Sequence, residues 1–257
     1  MSYSYGHIPD AKVDVEADLR HRHIAGLIGR VAVALPAFVD FSSLVGPIPD
    51  QGASSSCVGN AFSTSVLVRS DIAGHRVARP SRKAIYDVAR LVDQPRQPLV
   101  DEGSMPRAAA IGMLDYGLVA EDRWPLTDAN VNDAPPLDVF QHGLGAMIGG
   151  YYRIGSGPGC ALLIRQALAK GFAPCFALQV DQAFEDYESG VYGAVNGSPL
   201  GGHYLCAVAY GDGWIRVCNS WGIGWGESGF VRIADEVFDS DFVSDVLTVT
   251  VVPLAVS

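Results

Sequence analysis

Five short runs toward the C-terminal end, APCFALQV, YLCAVAYG, WIRVCNS, GFVRIA and VLTVTVVP, are apolar or β-branched and are separated by Gly, Asn and Asp. That is the pattern of neighbouring strands. Ahead of them the periodicity is helical. VGNAFSTSVLVRSDIAG puts Phe62, Val66 and Ile72 at buried positions with Gly74 near its end, and the serines before it are candidate caps. PSRKAIYDVARLVD places Ile85, Val88 and Val92 on one face. PRAAAIGMLDYG carries Pro106 in its first turn and Gly117 at its end, and CALLIRQALAKG closes on Gly171. Helices gathered in the first part and strands in the second argue for an α+β fold rather than alternating βαβ units.

A chain of 257 residues, 49% hydrophobic and 18% charged, can bury a sizeable core as one large domain or two lobes. Residues 1–34 are polar, with Asp10, Asp14, Glu16 and Asp18 followed by Arg20, His21, Arg22 and His23, and read as an appended segment. The character changes at LPAFVDF, so the domain is expected over 35–257, mainly helical to about residue 130 and mainly β from about 131. LTDANVNDAPPLD, residues 126–138, is the candidate hinge.

The net charge of −10 and the lack of basic runs argue against nucleic acid or an anionic membrane as partner. Five cysteines form no CxxC pair, and an odd count cannot be fully paired within the chain, which points to a reducing compartment. No N-terminal leader pattern is present, and no apolar run approaches the roughly 18 to 20 residues of a membrane helix, so a cytoplasmic location is expected. The six histidines lack metal-ligand spacing, so neither metal nor cofactor is expected.

The chemistry-bearing residues are spread along the chain. Cys57, in DQGASSSCVGNAFS, stands where a helix would begin, and a helix N-terminus stabilises a thiolate and a developing oxyanion. Taken alone, a cysteine there is more often a small buried hydrophobe. His203 follows two glycines and opens an apolar strand, where an imidazole can face a cleft, although a lone histidine in such a place is commonly structural. Asn219 ends the next strand, where hairpin pairing could bring its side-chain oxygen beside the ring to fix its tautomer. As part of an NSWG turn, it could equally be a turn former.

Together these residues resemble the papain-like cysteine peptidases. The likeness rests on Gln51, Gly52 and Cys57 followed by AFS, on GGH before an apolar strand, and on NSWGIGWGESGF. The interval from Cys57 to His203 falls within the roughly 130 to 150 positions of that arrangement. LPAFVDF, DEGSMP and FALQVDQAFEDYESGVY extend the resemblance over about 35–233. It implies a two-lobed α+β fold, with a helical lobe and an antiparallel, barrel-like β lobe flanking a cleft. It implies Cys57 as nucleophile, His203 as base and acid, and Asn219 as orienter. Gln51 would supply an oxyanion donor beside the Cys57 N–H, and Trp221 would shield the Asn–His bond. Gly103 and Ser104 would pair with the backbone of a peptide or protein substrate. Met105, Ala177 and Tyr204 would wall the main specificity pocket, with Met105 suggesting an apolar, adaptable site.

The chain departs from the pattern at several places. Ser54 stands where the family has a second cysteine, Val58 replaces an aromatic, and Ser104 replaces a glycine whose loss could narrow the cleft. Gly202 takes the place of a residue that is often acidic or polar. Residues 1–34 are too short for the family's helical prosegment, and two readings stand side by side: an intramolecular inhibitor packed over the cleft, or an arm unrelated to regulation. A binding or scaffold protein with little turnover, and a thiol enzyme that hydrolyses a non-peptide amide or transfers an acyl group, also remain open.

Overall fold

The computed structural model describes residues 3–10, 22–28, 34–141 and 146–253. Four helices of more than two turns are found among them: α1 (Cys57–Ile72), α2 (Arg82–Asp93), α3 (Pro106–Tyr116) and α4 (Cys160–Ala169). The strands are β1 (Arg22–His23), β2 (Val39–Asp40), β3 (Ala146–Arg153), β4 (Cys175–Val180), β5 (Val191–Tyr192), β6 (Gly201–Gly211), β7 (Trp214–Cys218), β8 (Phe230–Ala234) and β9 (Val243–Pro253). They form one mixed sheet in the order β1-β3-β9-β4-β6-β7-β8-β5, with β2 paired on β6. The fold is α+β, as the segregation of sequence patterns predicts.

Local chemistry sets the helix ends. Ser81 caps α2 by accepting from the Ala84 N–H at 2.8 Å. Pro106 occupies the first turn of α3, and Gly117 ends it with φ +81°. At α1 the expectation fails: the Ser56 side chain caps no backbone N–H. Its hydroxyl instead lies 2.7 Å from that of Ser54 and accepts from Asn60 Nδ2 at 3.0 Å.

Helix α1 is buried on nearly every side, because it lies between the other helices and the sheet. Several of its polar side chains are satisfied in place: Ser63 donates to the Pro80 carbonyl and Ser65 to that of Ala173. One apolar core gathers α1, α2 and α3 against β3, β4, β6 and β9, including Phe62, Ile85, Met113 and Val249. A second packs α4 against β4, β6, β7 and β8 around Ile164, Phe176, Phe184 and Ile233. The loop over 126–138 is tied to α2, since Lys83 Nζ donates to the Asp133 carbonyl and Arg90 to that of Val131. No helix among the described residues is long and apolar enough to cross a membrane.

Residues 22–28 add β1 in parallel to β3 and bury Ile24 in the second core. Residues 3–10 lie elsewhere, along the junction between the N-terminal end of α1 and the start of β6, and they define the cleft.

Candidate active site

Cys57 is the first residue of α1 and is fully buried. Because Ser56 leaves the first turn uncapped, the N–H groups of Cys57 and Val58 are turned to the Cys57 sulfur, joined by those of Tyr204 and Gly6. Burial pushes the thiol up to about 11, while these four donors pull the other way. The Tyr204 amide belongs to the residue that follows His203, which sets β6 directly beside the thiol.

His203 is the third residue of β6 and is also fully buried. Its Nε2 lies 2.8 Å from Asn219 Oδ1. The same oxygen accepts from the Ser220 N–H at 2.7 Å, so the ring nitrogen facing it carries the hydrogen. Nδ1 is left as an acceptor with no hydrogen bond among the described residues. Burial drives the imidazole down to about 4; the Asn219 bond opposes that shift, and the nearby His7 adds to it. Trp221 stacks on the ring at 4.7 Å and 22°, covering the pair.

Gln51 is held by Ser220, whose carbonyl accepts from the Gln51 N–H at 2.9 Å and whose hydroxyl donates to Oε1 at 2.6 Å. The amide nitrogen donates to the Ser54 carbonyl at 2.8 Å and, across the cleft, to the Ser4 carbonyl at 3.1 Å. Cys57, His203, Asn219, Gln51 and Trp221, far apart in sequence, therefore surround one spot.

The chain's own N-terminal segment occupies that spot. Gly6 accepts from the Ser104 N–H at 2.8 Å, Ile8 donates to the Ser104 carbonyl at 3.1 Å, and His7 donates to that of Gly202 at 3.2 Å. The segment runs parallel to Ser104. Gly103 has φ +97°, and a Cβ there would come within 2.3 Å of the Gly6 oxygen; one at Gly202 would come within 2.7 Å of His7 Nδ1. The departure to glycine at position 202 thus makes room for the segment. Tyr3 stacks on Trp221 at 4.0 Å, and Tyr5 meets His203 edge-on while its hydroxyl bonds the Glu185 carboxylate.

Of the residues expected to wall a specificity pocket, Tyr204 packs against His7, the two rings stacked at 5.9 Å and 13°. Ala177 pairs with Tyr204 across β4 and β6, and Met105 leads into α3. Ser104 is buried, and its hydroxyl makes no hydrogen bond among the described residues. Three residues of this region escape sequence reasoning: Ser220, His7 and Asp245, whose carboxylate lies 2.7 Å from His7 Nε2. A lone Asp inside the β-branched run of β9 was the only available signal for the last.

The comparisons with known proteins agree with this architecture. The model of the "Papain family cysteine protease" family matches residues 35–249. A cathepsin L-like proteinase of Fasciola hepatica is 30% identical over 213 residues, covering 78% of this chain and 61% of that protein. Papain of Carica papaya is 26% identical, with 78% and 55% covered. The chain thus spans little more than half the length of the curated relatives it matches. Xylellain, a cysteine protease from Xylella fastidiosa, superposes with a TM-score of 0.80 at 23% identity over 96% of both chains, which shows a shared fold. The chain belongs to the papain family of cysteine proteases.

Proposed function

We propose that the protein is a cysteine peptidase, inhibited in this state by its own N-terminal segment. The observation that carries this reading is the mode in which a peptide sits in the cleft: Gln51 holds the Ser4 carbonyl, Ser104 pairs with the Gly6 backbone, and the Gly6 N–H faces the Cys57 sulfur. In turnover, Cys57 Sγ attacks the substrate carbonyl carbon as the thiol proton passes to His203 Nδ1. Gln51 Nε2 and the Cys57 N–H hold the oxyanion. Collapse breaks the C–N bond, and the leaving amine takes the proton from Nδ1. Water then attacks the thioester, giving one proton to Nδ1; collapse breaks the C–S bond, the acid leaves, and the departing sulfur takes the proton from Nδ1 to restore the thiol. Asn219 keeps the imidazole in the tautomer that leaves Nδ1 free, and Trp221 keeps water off that bond. Gly103 and Ser104 pair with the substrate backbone, and Gly202 offers its carbonyl to it.

The inhibitory role of residues 1–34 is supported by burial. Burial raises the thiol and lowers the imidazole, so passing the thiol proton to His203 is harder in the covered cleft than in an open one. The peptidase domain is then 35–257, and five unpaired cysteines suit a reducing compartment such as the cytoplasm.

The test uses the 257-residue chain with a protease site inserted between residues 33 and 34, cut after folding. Peptide hydrolysis and labelling of Cys57 by a thiol-directed epoxide should both rise on cutting and vanish in Cys57→Ala. Cut protein that hydrolyses no peptide in a mixed library and takes no label at Cys57 would overturn the peptidase reading. Uncut protein as active as cut would overturn the inhibitory one.

A further inference from the structure

Gln51 brings an amide N–H to the cleft, and such a donor serves an oxyanion only if it is held still and the right way round. Both ends of the amide are accounted for. Oε1 accepts from the Ser220 hydroxyl at 2.6 Å, and one Nε2 hydrogen goes to the Ser54 carbonyl at 2.8 Å, which leaves the other to reach the Ser4 carbonyl in the cleft at 3.1 Å. The aim of that hydrogen therefore depends on where Ser54 sits. The stretch from Gly52 to Ser56 contains only Gly, Ala and Ser, and Gly52 and Ala53 are exposed. It has no large side chain to pack, so hydrogen bonds must place it.

Those bonds run in one direction. The Ser54 hydroxyl donates to the Gln51 carbonyl at 2.7 Å, so in its 2.7 Å contact with the Ser56 hydroxyl it is the acceptor. Ser56 in turn accepts from Asn60 Nδ2 at 3.0 Å, and the second Nδ2 hydrogen goes to the Ser56 carbonyl, also at 3.0 Å. Asn60 Oδ1 accepts from Arg82 Nη1 at 3.2 Å. Ser54, Ser56 and Asn60 are buried, and a hydrogen bond lost among them leaves a polar atom unpaired. Arg82 is itself fixed: Glu121 accepts from its backbone N–H at 2.8 Å, from Nε at 2.9 Å and from Nη2 at 2.7 Å, and the Asp50 carbonyl accepts from Nη1 at 2.8 Å. A guanidinium only donates, so Asn60 must turn its oxygen to Arg82 and its nitrogen to Ser56. That choice makes Ser56 a donor to Ser54, and Ser54 a donor to Gln51.

We infer that Asn60 is a positioning residue for the oxyanion donor: oriented by Arg82, it orders Ser56 and Ser54 and through them holds Gln51 with one N–H aimed into the cleft. The departure from cysteine at position 54 supplies the last hydroxyl of this line. An amide inside a helix ordinarily competes for backbone groups; here the backbone group it takes is the Ser56 carbonyl, and the competition serves the loop. The effect on turnover rests on the peptidase reading above, whereas the ordering of Gln51 does not.

Asn60→Asp keeps the size and the contact with Arg82 but puts an oxygen in place of Nδ2. That oxygen repels the Ser56 carbonyl and takes the Ser56 hydrogen away from Ser54. In the uncut chain, the Gln51 Nε2 hydrogens, identified in NMR spectra by their loss in Gln51→Ala, should exchange with solvent at least tenfold faster in Asn60→Asp. The Trp225 Nε1–H, held by the Glu185 carbonyl, should change less than twofold. In the cut protein, kcat on a peptide amide should fall at least fivefold with KM within twofold. In a Gln51→Ala background the same substitution should change kcat less than twofold, since no donor is left to aim. Alkylation of Cys57 by iodoacetamide builds no oxyanion and should keep its rate within twofold, which a general loosening of α1 would not allow. If Asn60→Asp does not fold, Ser54→Ala, which deletes only the last hydroxyl, should show the same changes at threefold or more. Exchange at the parental rate, alkylation that falls in step with kcat, or an equal fall in kcat without Gln51 overturns the inference. Faster Gln51 exchange in a chain whose cut form hydrolyses no peptide retains the inference and overturns the peptidase reading.

Discussion

A single methyl group should open the cleft without any cut. An ideal Cβ on Gly6 would lie 1.7 Å from the Ser55 carbonyl oxygen, and the clashing atoms are backbone, so no side chain can rotate aside. Gly6→Ala must therefore lift the segment at the point where it crosses the thiol. The backbone bonds nearest that point are Ser104 N–H to Gly6, Ile8 N–H to the Ser104 carbonyl and His7 N–H to Gly202. Each is worth about 0.5–1.5 kcal/mol net. Losing two or three of them weakens the closed state by about 2–3 kcal/mol, equivalent to roughly 30- to 150-fold in its occupancy.

Alkylation by iodoacetamide reads that occupancy without depending on turnover. The Cys57 labelling rate of the uncut Gly6→Ala chain, mapped by mass spectrometry, should exceed that of the parent at least tenfold at the same pH. Cys160, Cys175, Cys206 and Cys218 are buried and serve as internal controls for general loosening. Gly26→Ala is the matched control within the same segment, since a Cβ there meets nothing within 4 Å. If Gly6→Ala labels at the parental rate with an unchanged thermal midpoint, residue 6 is not held against Ser55, and the account of the covered thiol fails.

Two further outcomes follow from buried charge. Burial holds His203 near 4, below its ordinary value of about 6.5, so an opened or unfolded chain takes up a proton that the covered chain refuses. The associated stability is complete above about pH 6.5 and is lost as pH falls toward 4, to a limit of about 3 kcal/mol. The thermal midpoint of the uncut chain should therefore drop more between pH 7 and 4.5 than that of His203→Gln; parallel curves would refute the assignment. At α2, the Asp87 carboxylate meets Lys83 Nζ at 2.5 Å, Arg90 at 2.7 Å and Trp124 Nε1 at 2.8 Å, with Lys83 and Asp87 fully buried. Asp87→Ala strands the ammonium and should cost about 3–5 kcal/mol in urea unfolding; a loss under about 1 kcal/mol would show that the cluster contributes little.

The elements legible in the sequence are those whose signal is local. Gly117 and Gly171 end α3 and α4 where expected, and β4, β6, β7, β8 and β9 fall on the five β-rich runs. Strand β3 went unread because Gly149 and Gly150 break its pattern, and its pairing with β9 slips at that place. The two-residue strands β1, β2 and β5 carry no pattern of their own and exist only through their partners. At the site, order and spacing identify Cys57, His203 and Asn219 as a set. The uncapped first turn beneath Cys57 was not legible, since it depends on Ser56 turning to Ser54 and Asn60 rather than to the helix amides.

The pocket marks where reading by residue type stops. Side chains known to wall such a pocket can be recognised one at a time, but the direction of a side chain on a bulge cannot. Regular alternation along β9 gives Asp245 a face set only by its parity; the extra residue opposite Phe176 removes that constraint. Its positive φ then fixes the new direction, and the Tyr204 hydroxyl, itself part of the pocket wall, anchors the carbonyl that makes the turn possible. One residue thus serves the pocket twice, as a surface for the His7 ring and as the clasp that aims the carboxylate at it. Tyr204→Phe removes the clasp and leaves the ring in place, so it should loosen the Asp245–His7 contact and raise the iodoacetamide labelling rate of Cys57 in the uncut chain; an unchanged rate would show that the hydroxyl does not aim the carboxylate.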